Sequence, residues 1–542
     1  MDKQAARTKV MSTKRIAVIC LAFLIALGAI SAKADVKPAA LFADNMVIQQ
    51  QSDAAVWGWA DPGEKITVSA SWGERATTVT DESGKWSLTL QTPAAIPGSA
   101  QAYTLSFEGN NRIDVENVLV GEVWLASGQS NMEWKIGNLK LNDEQIGNTD
   151  LSLIREYKVQ RNATHEPAAE TTGHWKITSG ESIGNFSATA WFFARELHQS
   201  LNIPVGIINS SWGGTPIESW LSKEAQASHA LTQARIKELD QWLKNHNPEE
   251  SQIRFETALA KWQADKADAE QKNLKFTQRA PRLMTPESRA HRYPGSLYAG
   301  MIHPLKPYNV RGIIWYQGEA NSHSVEQARF YETQLTDLIT SWRTDWHTTD
   351  MPFYVVQLAN FRAAQVNPVE HDQYWPVTRE SMRKTTNSLE HAGMAVAIDI
   401  GEAGNIHPKN KWEVGRRLAL LALHNDYGHK LVPSGPLYKS FTIKGNSLLI
   451  DFDHKGTGLV AKGDTKLRGF AIAGDDGKYI WADAKTITRS NGWKFWQKQQ
   501  LVEVSSPEIS APKSIKYGWA DNPDSINLYN KEGLPASPFS TD

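Results

Sequence analysis

The feature that most constrains the fold of this 542-residue chain is its hydrophobic rhythm between residues 118 and 426. Short apolar runs that suit buried strands alternate there with segments whose apolar residues recur at helical spacing. The strand candidates are 118–126, 203–209, 310–316, 353–358 and 394–400. The helical faces are marked by Phe186, Ala190, Phe193 and Leu197, and by Tyr331, Leu335, Leu338 and Trp342. Strands that alternate with helices predict an α/β domain whose mostly parallel sheet carries helices on both faces.

The rhythm differs on either side of this stretch. Residues 35–117 consist of short alternating strands separated by turn signals such as Asp-Pro-Gly at 61–63, which predicts a small antiparallel β-sandwich. Similar alternation returns after residue 426 and predicts a second β module over 427–542. Residues 222–280 are highly charged with apolar residues at helical spacing, so we expect a helical insertion, in the form of a hairpin beside the cleft.

The first 34 residues have the pattern of a secretory signal. Lys14 and Arg15 precede an apolar run at 16–30, and Ala-Lys-Ala before Asp35 fits the small-residue rule for cleavage. We therefore expect a secreted or periplasmic mature protein. No later segment approaches the roughly 20 uninterrupted apolar residues of a membrane helix, so no membrane association is predicted.

The single cysteine, Cys20, lies inside that predicted signal. A lipidation site there is disfavoured because the residues that follow remain strongly apolar. The mature chain therefore excludes a cysteine nucleophile, a disulfide and a cysteine-ligated metal. A formal charge of −1 without a Lys/Arg cluster argues against nucleic acid as a partner. Most of the 21 tryptophans are expected in cores, although such rings also stack on sugars.

Two residues at opposite ends of the α/β stretch predict hydrolytic chemistry. Ser130 lies in Gly-Gln-Ser-Asn-Met after the first strand candidate, and His407 lies in Ile-His-Pro after the last. A serine hydroxyl becomes a good nucleophile when an imidazole takes its proton, and carboxyl ends of parallel strands share one sheet edge. We predict Ser130 as nucleophile and His407 as base; the alternative for Ser130 is a helix cap. His303, in a second His-Pro pair, is expected to be structural.

Backbone and amide groups near other strand ends are candidates for an oxyanion hole. The Ser130 N–H and the adjacent Gly213 and Gly214 N–H groups could donate to a developing negative charge, although glycines also serve tight turns. Gln317 and Asn321, after the third strand candidate, are further donor candidates.

Glu319, between those two amides, is expected to bind a substrate hydroxyl or to order the loop. The alternative for all three side chains of this block is that they satisfy loop backbone groups.

Taken together, the motifs resemble those of a known family, the sialate O-acetylesterase-like carbohydrate esterases of the SGNH-hydrolase superfamily. Gly-Gln-Ser-Asn-Met, Trp-Gly-Gly-Thr, Tyr-Gln-Gly-Glu-Ala-Asn and Ile-His-Pro-Lys occur in the family's order, and the resemblance extends to 301–305 and 516–539. It implies a flavodoxin-like sheet flanked by β-sandwich-like modules. It also implies a serine esterase that removes acetyl groups from carbohydrate through an acetyl-serine, without metal or organic cofactor.

Two other functions remain open at this point. One is a lipid or thioester hydrolase of the same superfamily, and the other is a carbohydrate-binding protein with an inactive central domain. Sialic acid, xylan and xyloglucan acetyl esters are all compatible substrates, and no oligomeric state is predicted.

One position departs from the superfamily pattern. The acid is often three residues before the histidine, where this chain has Gly404, and Asn405 follows it. The imidazole would then be oriented by Asp399, by Glu402 or by a backbone carbonyl, the last giving a Ser-His dyad.

Overall fold

A computed structural model describes residues 35–139, 141, 146, 151–370, 372–491 and 494–542. The predicted signal at 1–34 lies outside the described residues. No helix among the described residues is long and apolar enough to cross a membrane.

The chain begins with two antiparallel sheets, as the alternating pattern predicts. One sheet has the order β1-β3-β6, and in the other β4 pairs with β5 and β7, and β7 pairs with β8. The strands are β1 Lys37–Pro38, β2 Val47–Gln49, β3 Asp53–Trp59, β4 Lys65–Ala70, β5 Arg75–Val79, β6 Lys85–Gln91, β7 Tyr103–Glu108 and β8 Arg112–Gly128.

Strand β8 joins this module to the rest of the protein. Its first half pairs with β7, and its second half is the central strand of the large parallel sheet. Its burial changes accordingly, because every residue from Val118 to Gly128 is buried. The domain boundary that we propose at 117/118 therefore falls inside one continuous strand.

The central sheet has the order β10-β9-β11-β8-β12-β13-β14. All neighbours are parallel except β9 and β10. Within this sheet, β11, β8, β12, β13 and β14 are adjacent in that spatial order. Numbered by their sequence among themselves, they have the order 2-1-3-4-5 of flavodoxin-like folds, which confirms the predicted fold class. The strands are β9 Ile154–Lys158, β10 Trp175–Ile177, β11 Val205–Ser211, β12 Gly312–Tyr316, β13 Phe353–Val356 and β14 Ala392–Ala395.

All five strand candidates of the sequence correspond to β8, β11, β12, β13 and β14. The candidate at 394–400 begins and ends too far along the sequence, since β14 ends at Ala395 and the chain then turns toward His407. Strands β9 and β10 were missed.

Helices cover both faces of the central sheet. The helices are α1 Ser130–Glu133, α2 Ala188–Leu201, α3 Ala230–Asn245, α4 Pro248–Gln271, α5 Pro286–Ala290, α6 Val325–Asp345, α7 Trp375–Ser388 and α8 Lys411–Asn425. Helix α2 packs on α8, and α6 packs on α7. Alternate residues of β8 join separate cores: Leu125 packs in the core that contains Leu335 of α6, and Trp124 in the core that contains Leu418 of α8. Short 3-10 or π turns lie at Ile136–Asn138, Leu151–Leu153, Ile183–Asn185, Ile217–Ser219, Tyr298–Ile302, His303–Leu305 and Glu319–Asn321.

Helices α3 and α4 form a hairpin inside the stretch expected to be a helical insertion. Asn247 ends the turn between them, because its side chain accepts hydrogen bonds from the N–H groups of Glu249 and Glu250, and Pro248 occupies the first helical position. None of the residues of α4 is buried. The loop that follows brings Arg279 close enough to influence the charge of His407.

The C-terminal module contains three antiparallel sheets, of orders β15-β16-β21-β20, β17-β23 and β19-β18-β22-β24. The strands are β15 Leu437–Lys444, β16 Ser447–Asp453, β17 Leu459–Ala461, β18 Phe470–Ala473, β19 Ile480–Trp481, β20 Asp483–Asn491, β21 Lys494–Ser505, β22 Ser514–Tyr517, β23 Leu528–Asn530 and β24 Phe539–Ser540.

The tail of this module packs on the central domain through Arg379. Its guanidinium donates to the carbonyls of Leu358 and Ala359, which follow β13, and to those of Ala520 and Asp521 in the tail. Because Arg379 is fully buried, these four acceptors replace the water that its charge would otherwise need.

Candidate active site

The predicted nucleophile lies where β8 meets α1. Gly128 has φ +134, and a Cβ there would lie 2.2 Å from the carbonyl oxygen of Tyr316, so this close approach of two strands requires glycine. Gln129 then donates its N–H to the same carbonyl oxygen. Gln129 is the N-cap of α1, so the alternative in which Ser130 caps the helix is wrong. Ser130 instead begins the helix at the carboxyl edge of the sheet.

His407 reaches this serine from the loop between β14 and α8. The distance from its Nε2 to Ser130 Oγ is 2.9 Å. Its ring stacks on Trp134, with centroids 4.7 Å apart and an interplanar angle of 20°. Asn405 holds the backbone of the loop: its Oδ1 accepts the His407 N–H, and its Nδ2 donates to the His407 carbonyl oxygen. Two residues that are 277 positions apart therefore form one hydrogen-bonded pair.

Burial and nearby cations keep this imidazole neutral. Burial, together with the positive charges of Lys411 and Arg279, lowers the pKa of His407 to about 4. The ring is therefore unprotonated at neutral and mildly acidic pH, which is the state that a general base requires.

Neither acid proposed from the sequence contacts the imidazole. Both carboxylate oxygens of Asp399 bind the guanidinium of Arg417, and one also accepts the hydroxyl of Tyr529. Glu402 accepts the N–H of Lys409 and the side-chain amide of Asn405. Within the described part of the chain, His407 Nδ1 donates to no carboxylate or carbonyl oxygen.

The two glycines of the second motif differ in what their N–H groups contact. Gly213 lies against Ser130, since a Cβ at Gly213 would lie 3.2 Å from the Cβ of Ser130. Its N–H donates to Glu133 Oε2 at 2.9 Å. Gly214 is exposed, has φ +76, and its N–H makes no hydrogen bond within the described chain. The Ser130 N–H, in the first turn of α1, has no helical carbonyl to bind.

The side-chain amides of Gln317 and Asn321 already donate hydrogen bonds within the protein. Gln317 Nε2 donates to Gln129 Oε1, to the Thr215 carbonyl oxygen and to Asn321 Oδ1. Asn321 Nδ2 donates to Glu218 Oε2. Both side chains are buried, so neither is free to donate to an oxyanion in this conformation. The geometry supports the alternative in which they order the loop.

Behind the pair lies a buried polar network that contains Glu319 and two residues, Asn131 and Lys411, that the sequence did not indicate. Lys411 Nζ donates to Asn131 Oδ1, and Asn131 Nδ2 donates both to Glu319 Oε1 and to the Ile406 carbonyl oxygen. Glu319 is buried and faces this polar network rather than solvent, which favours the interpretation that it orders the loop. Asn131 could have been singled out because it follows Ser130 in the same motif, whereas Lys411 has no local signal that separates it from a solvated lysine.

Planar side chains lie beside the glycine motif. Trp212 stacks on His291 with centroids 4.9 Å apart and an interplanar angle of 11°, and the Arg161 guanidinium lies 5.2 Å from the Trp212 ring centroid. Arg161 also binds Glu133, the residue that holds the Gly213 N–H. This cluster provides a flat, partly exposed surface next to the nucleophile.

His303 lies away from the pair, as expected of a structural histidine. Its Nδ1 lies 3.1 Å from the Ala168 carbonyl oxygen. It borders a cleft of about 1360 Å³ between the N-terminal module and the amino ends of the central strands. Among the residues that the structure describes, no three His, Cys, Asp or Glu side chains converge as metal ligands.

Comparison with known proteins identifies the family. A family model described as a carbohydrate esterase, sialic acid-specific acetylesterase, matches residues 120–254 and 286–424. The chain belongs to this family. The gap between the two matched stretches falls on α4 and the loop after it.

Full-length relatives agree with this assignment. The chain is 28% identical to the sialate O-acetylesterase of Rattus norvegicus, over 92% of this chain and 93% of that protein. It is 26% identical to that of Homo sapiens, over 92% and 90%. The solved structure of a carbohydrate acetylesterase from Xanthomonas citri is 34% identical, covers 94% of this chain and 100% of its own, and superposes with a TM-score of 0.75. The protein is a carboxylic ester hydrolase of a carbohydrate acetylesterase family.

Proposed function

We propose that this protein is a secreted serine esterase that removes O-acetyl groups from carbohydrate through an acetyl-serine intermediate. The observation that carries the proposal is the 2.9 Å contact between Ser130 Oγ and His407 Nε2 at the carboxyl edge of the sheet. The names of the relatives support an acetylated sugar as substrate.

In the first half of the reaction, His407 Nε2 takes the proton of Ser130 while Oγ bonds to the acetyl carbon. The carbonyl oxygen becomes negative, and we assign its stabilisation to the Ser130 and Gly214 N–H groups. The bond to the sugar oxygen then breaks, and His407 returns the proton to that oxygen. In the second half, His407 takes a proton from water, the hydroxide attacks the acetyl-serine, and acetate leaves as Ser130 regains its proton.

This mechanism uses a dyad without a third acid. In place of a carboxylate, two hydrogen bonds between Asn405 and the His407 backbone position the loop, and the stack on Trp134 positions the ring. The Gly213 N–H is held by Glu133, so we assign it no direct contact with the oxyanion.

The cluster of Trp212, His291 and Arg161 supports a sugar as the alcohol portion of the ester. Flat aromatic surfaces beside a reactive centre suit the faces of pyranose rings, whereas a lipid or thioester hydrolase would need an apolar groove for the acyl chain. A chain-length series of nitrophenyl esters separates the two, because strict preference for acetyl is expected. Acetate release from acetylated sialic acid, xylan and xyloglucan identifies the sugar.

The decisive test compares Ser130→Ala and His407→Ala with His303→Ala. The first two variants should lose nearly all acetate release while retaining the fold, and His303→Ala, the matched change in the other His-Pro pair, should keep most of it. Covalent labelling of wild type by a serine-directed phosphonate, absent in Ser130→Ala, excludes the carbohydrate-binding alternative. High activity in Ser130→Ala would refute the proposal.

The proposed export is tested separately. If residues 1–34 are a cleaved signal, the mature protein recovered from the periplasm or medium begins at Asp35. An intact N-terminus in the cytoplasmic fraction would contradict it.

A further inference from the structure

Lys411 lies where a positive charge is unfavourable for two reasons. It is fully buried, and it is the first residue of α8, where the helix dipole disfavours a positive charge. Burial lowers the pKa of Lys411 to about 7, although the negative charges of Glu319 and Glu402 partly oppose this shift. A lysine in such a place needs compensating contacts, and those contacts lead to the active site.

Asn131 connects the lysine to both catalytic segments. It is 2% exposed and directly follows Ser130. Its Oδ1 accepts from Lys411 Nζ, and its Nδ2 donates to the carbonyl oxygen of Ile406, the residue before His407. One amide therefore joins the nucleophile turn to the histidine loop, and the lysine fixes which way that amide faces.

The remaining neighbours of Lys411, Tyr316 and Glu319, lie at the carboxyl end of β12. Glu319 accepts a hydrogen bond from Asn131 Nδ2, while its second oxygen is buried and has no hydrogen-bond partner among the described residues. The ring of Tyr316 lies 5.2 Å from Lys411 Nζ. Burial raises the pKa of Glu319, and Asn131 and Lys411 act in the opposite direction. Lys411, Asn131 and Glu319 are thus all buried within the protein.

We propose that the buried Lys411–Asn131 pair is a positioning unit for the two catalytic side chains, in which Asn131 joins the nucleophile turn to the histidine loop and Lys411 fixes the orientation of that amide. The charge of Lys411 adds to the effect of burial in disfavouring protonation of His407. This inference rests on the proposed function. The charged groups that act on His407 are Lys411 from α8 and Arg279 from the loop after α4. Lys411 carries its proton throughout the acidic range in which His407 titrates, because its own pKa is higher.

Three substitutions of Lys411 separate its charge from its hydrogen bond. Lys411→Met removes both, Lys411→Gln removes the charge and keeps a donor, and Lys411→Arg keeps both. The measurement is kcat/KM for nitrophenyl acetate between pH 4 and 8. The acidic limb is the part of the pH profile in which kcat/KM falls as His407 becomes protonated. Loss of the Lys411 charge should move the midpoint of this limb to higher pH by roughly one unit in the Met and Gln variants, as expected for a neighbouring charge. Lys411→Arg should leave the limb near its wild-type position.

The matched control is Lys306→Met, which removes a partly buried lysine paired with Asp345 at the opposite edge of the sheet. Its acidic limb should stay at the wild-type position. The Gln variant keeps the test valid where the Met variant does not fold, as judged by circular dichroism. An unmoved limb in a folded Met or Gln variant would overturn the charge role.

Asn131→Ala tests the connection itself. Loss of the link between the two segments should lower kcat about tenfold or more while KM changes little, because geometry rather than substrate binding is affected. Unchanged kcat would overturn the positioning role. Failure of the proposed function is distinguishable, since it would appear as activity in Ser130→Ala, whereas failure of this inference leaves Ser130→Ala inactive.

Discussion

The activity should persist to a lower pH than an ordinary histidine base would allow. At pH 5, an imidazole with the His407 pKa of about 4 is roughly 90% neutral, whereas one with the unperturbed pKa of about 6.5 is roughly 3% neutral. Because only the neutral ring can accept the Ser130 proton, the fraction of enzyme with a competent base differs about thirtyfold between the two cases at that pH. Because the pKa of His407 is lowered, the ring becomes protonated, and activity is lost, only at lower pH.

The assay is initial-rate hydrolysis of nitrophenyl acetate from pH 3.5 to 8, read at a wavelength that does not depend on the ionisation of nitrophenol. The limb of kcat/KM reports the free enzyme, so substrate binding does not confuse the assignment. Ser130→Ala supplies the background rate at each pH. Circular dichroism at each pH shows that the fold persists, so that loss of rate reflects His407 and not unfolding.

Trp134→Ala exposes the ring that this prediction concerns. Removing the stacked indole admits water to His407 and reduces the burial that is the largest cause of its lowered pKa. The acidic limb should then move toward 6.5. A wild-type limb near pH 6.5, or a Trp134→Ala limb that stays at the wild-type value, would refute the reasoning.

Three further outcomes follow from other contacts. Asn405→Ala removes both hydrogen bonds that hold the His407 backbone, so kcat should fall about tenfold at nearly constant KM in steady-state kinetics. His291→Ala should raise KM about three- to tenfold for an acetylated oligosaccharide while leaving nitrophenyl acetate nearly unaffected, because only the sugar needs the stacked surface. Arg379→Met leaves four carbonyl acceptors without their donor and should lower the free energy of unfolding by about 3 kcal/mol in urea titration. Replacement of the half-exposed Arg362 should lower it by less than about 1 kcal/mol.

The parts of the fold that follow from hydrophobic rhythm were predictable, and β9 shows why other parts were not. Its sequence is Ile-Arg-Glu-Tyr-Lys, which lacks a clear apolar pattern. Arg155 is nevertheless buried, because its guanidinium donates to the backbone carbonyls of Met46 and Asn117. Glu156 is buried because it accepts from the Ser187 N–H and from Asn209. The partners that make this burial possible are remote in sequence.

The same distinction applies to the site. Ser130 and His407 could be predicted because each follows a strand, and the carboxyl ends of parallel strands converge. Gln317 and Asn321 follow a strand as well, yet their donors are used inside the protein. Residue type and strand position identify which groups arrive at the edge, but only the neighbouring acceptors decide whether a donor remains available.

No acid among the described residues contacts His407, which affects where the catalytic power of the proposed dyad arises. A base whose pKa is lowered to about 4 is available over a wide pH range, but it accepts a proton less readily than an ordinary imidazole, and no carboxylate stabilises the imidazolium that forms. Lys411 and Arg279 even oppose that charge. The compensation must come from interactions that strengthen as the oxyanion develops, and positive charges near the site favour a negative oxygen for the same reason that they disfavour imidazolium. In the proposed dyad, the cations that weaken the base would therefore contribute to stabilising the oxyanion. The rate would then depend more on the Ser130 and Gly214 N–H groups than it would in a triad.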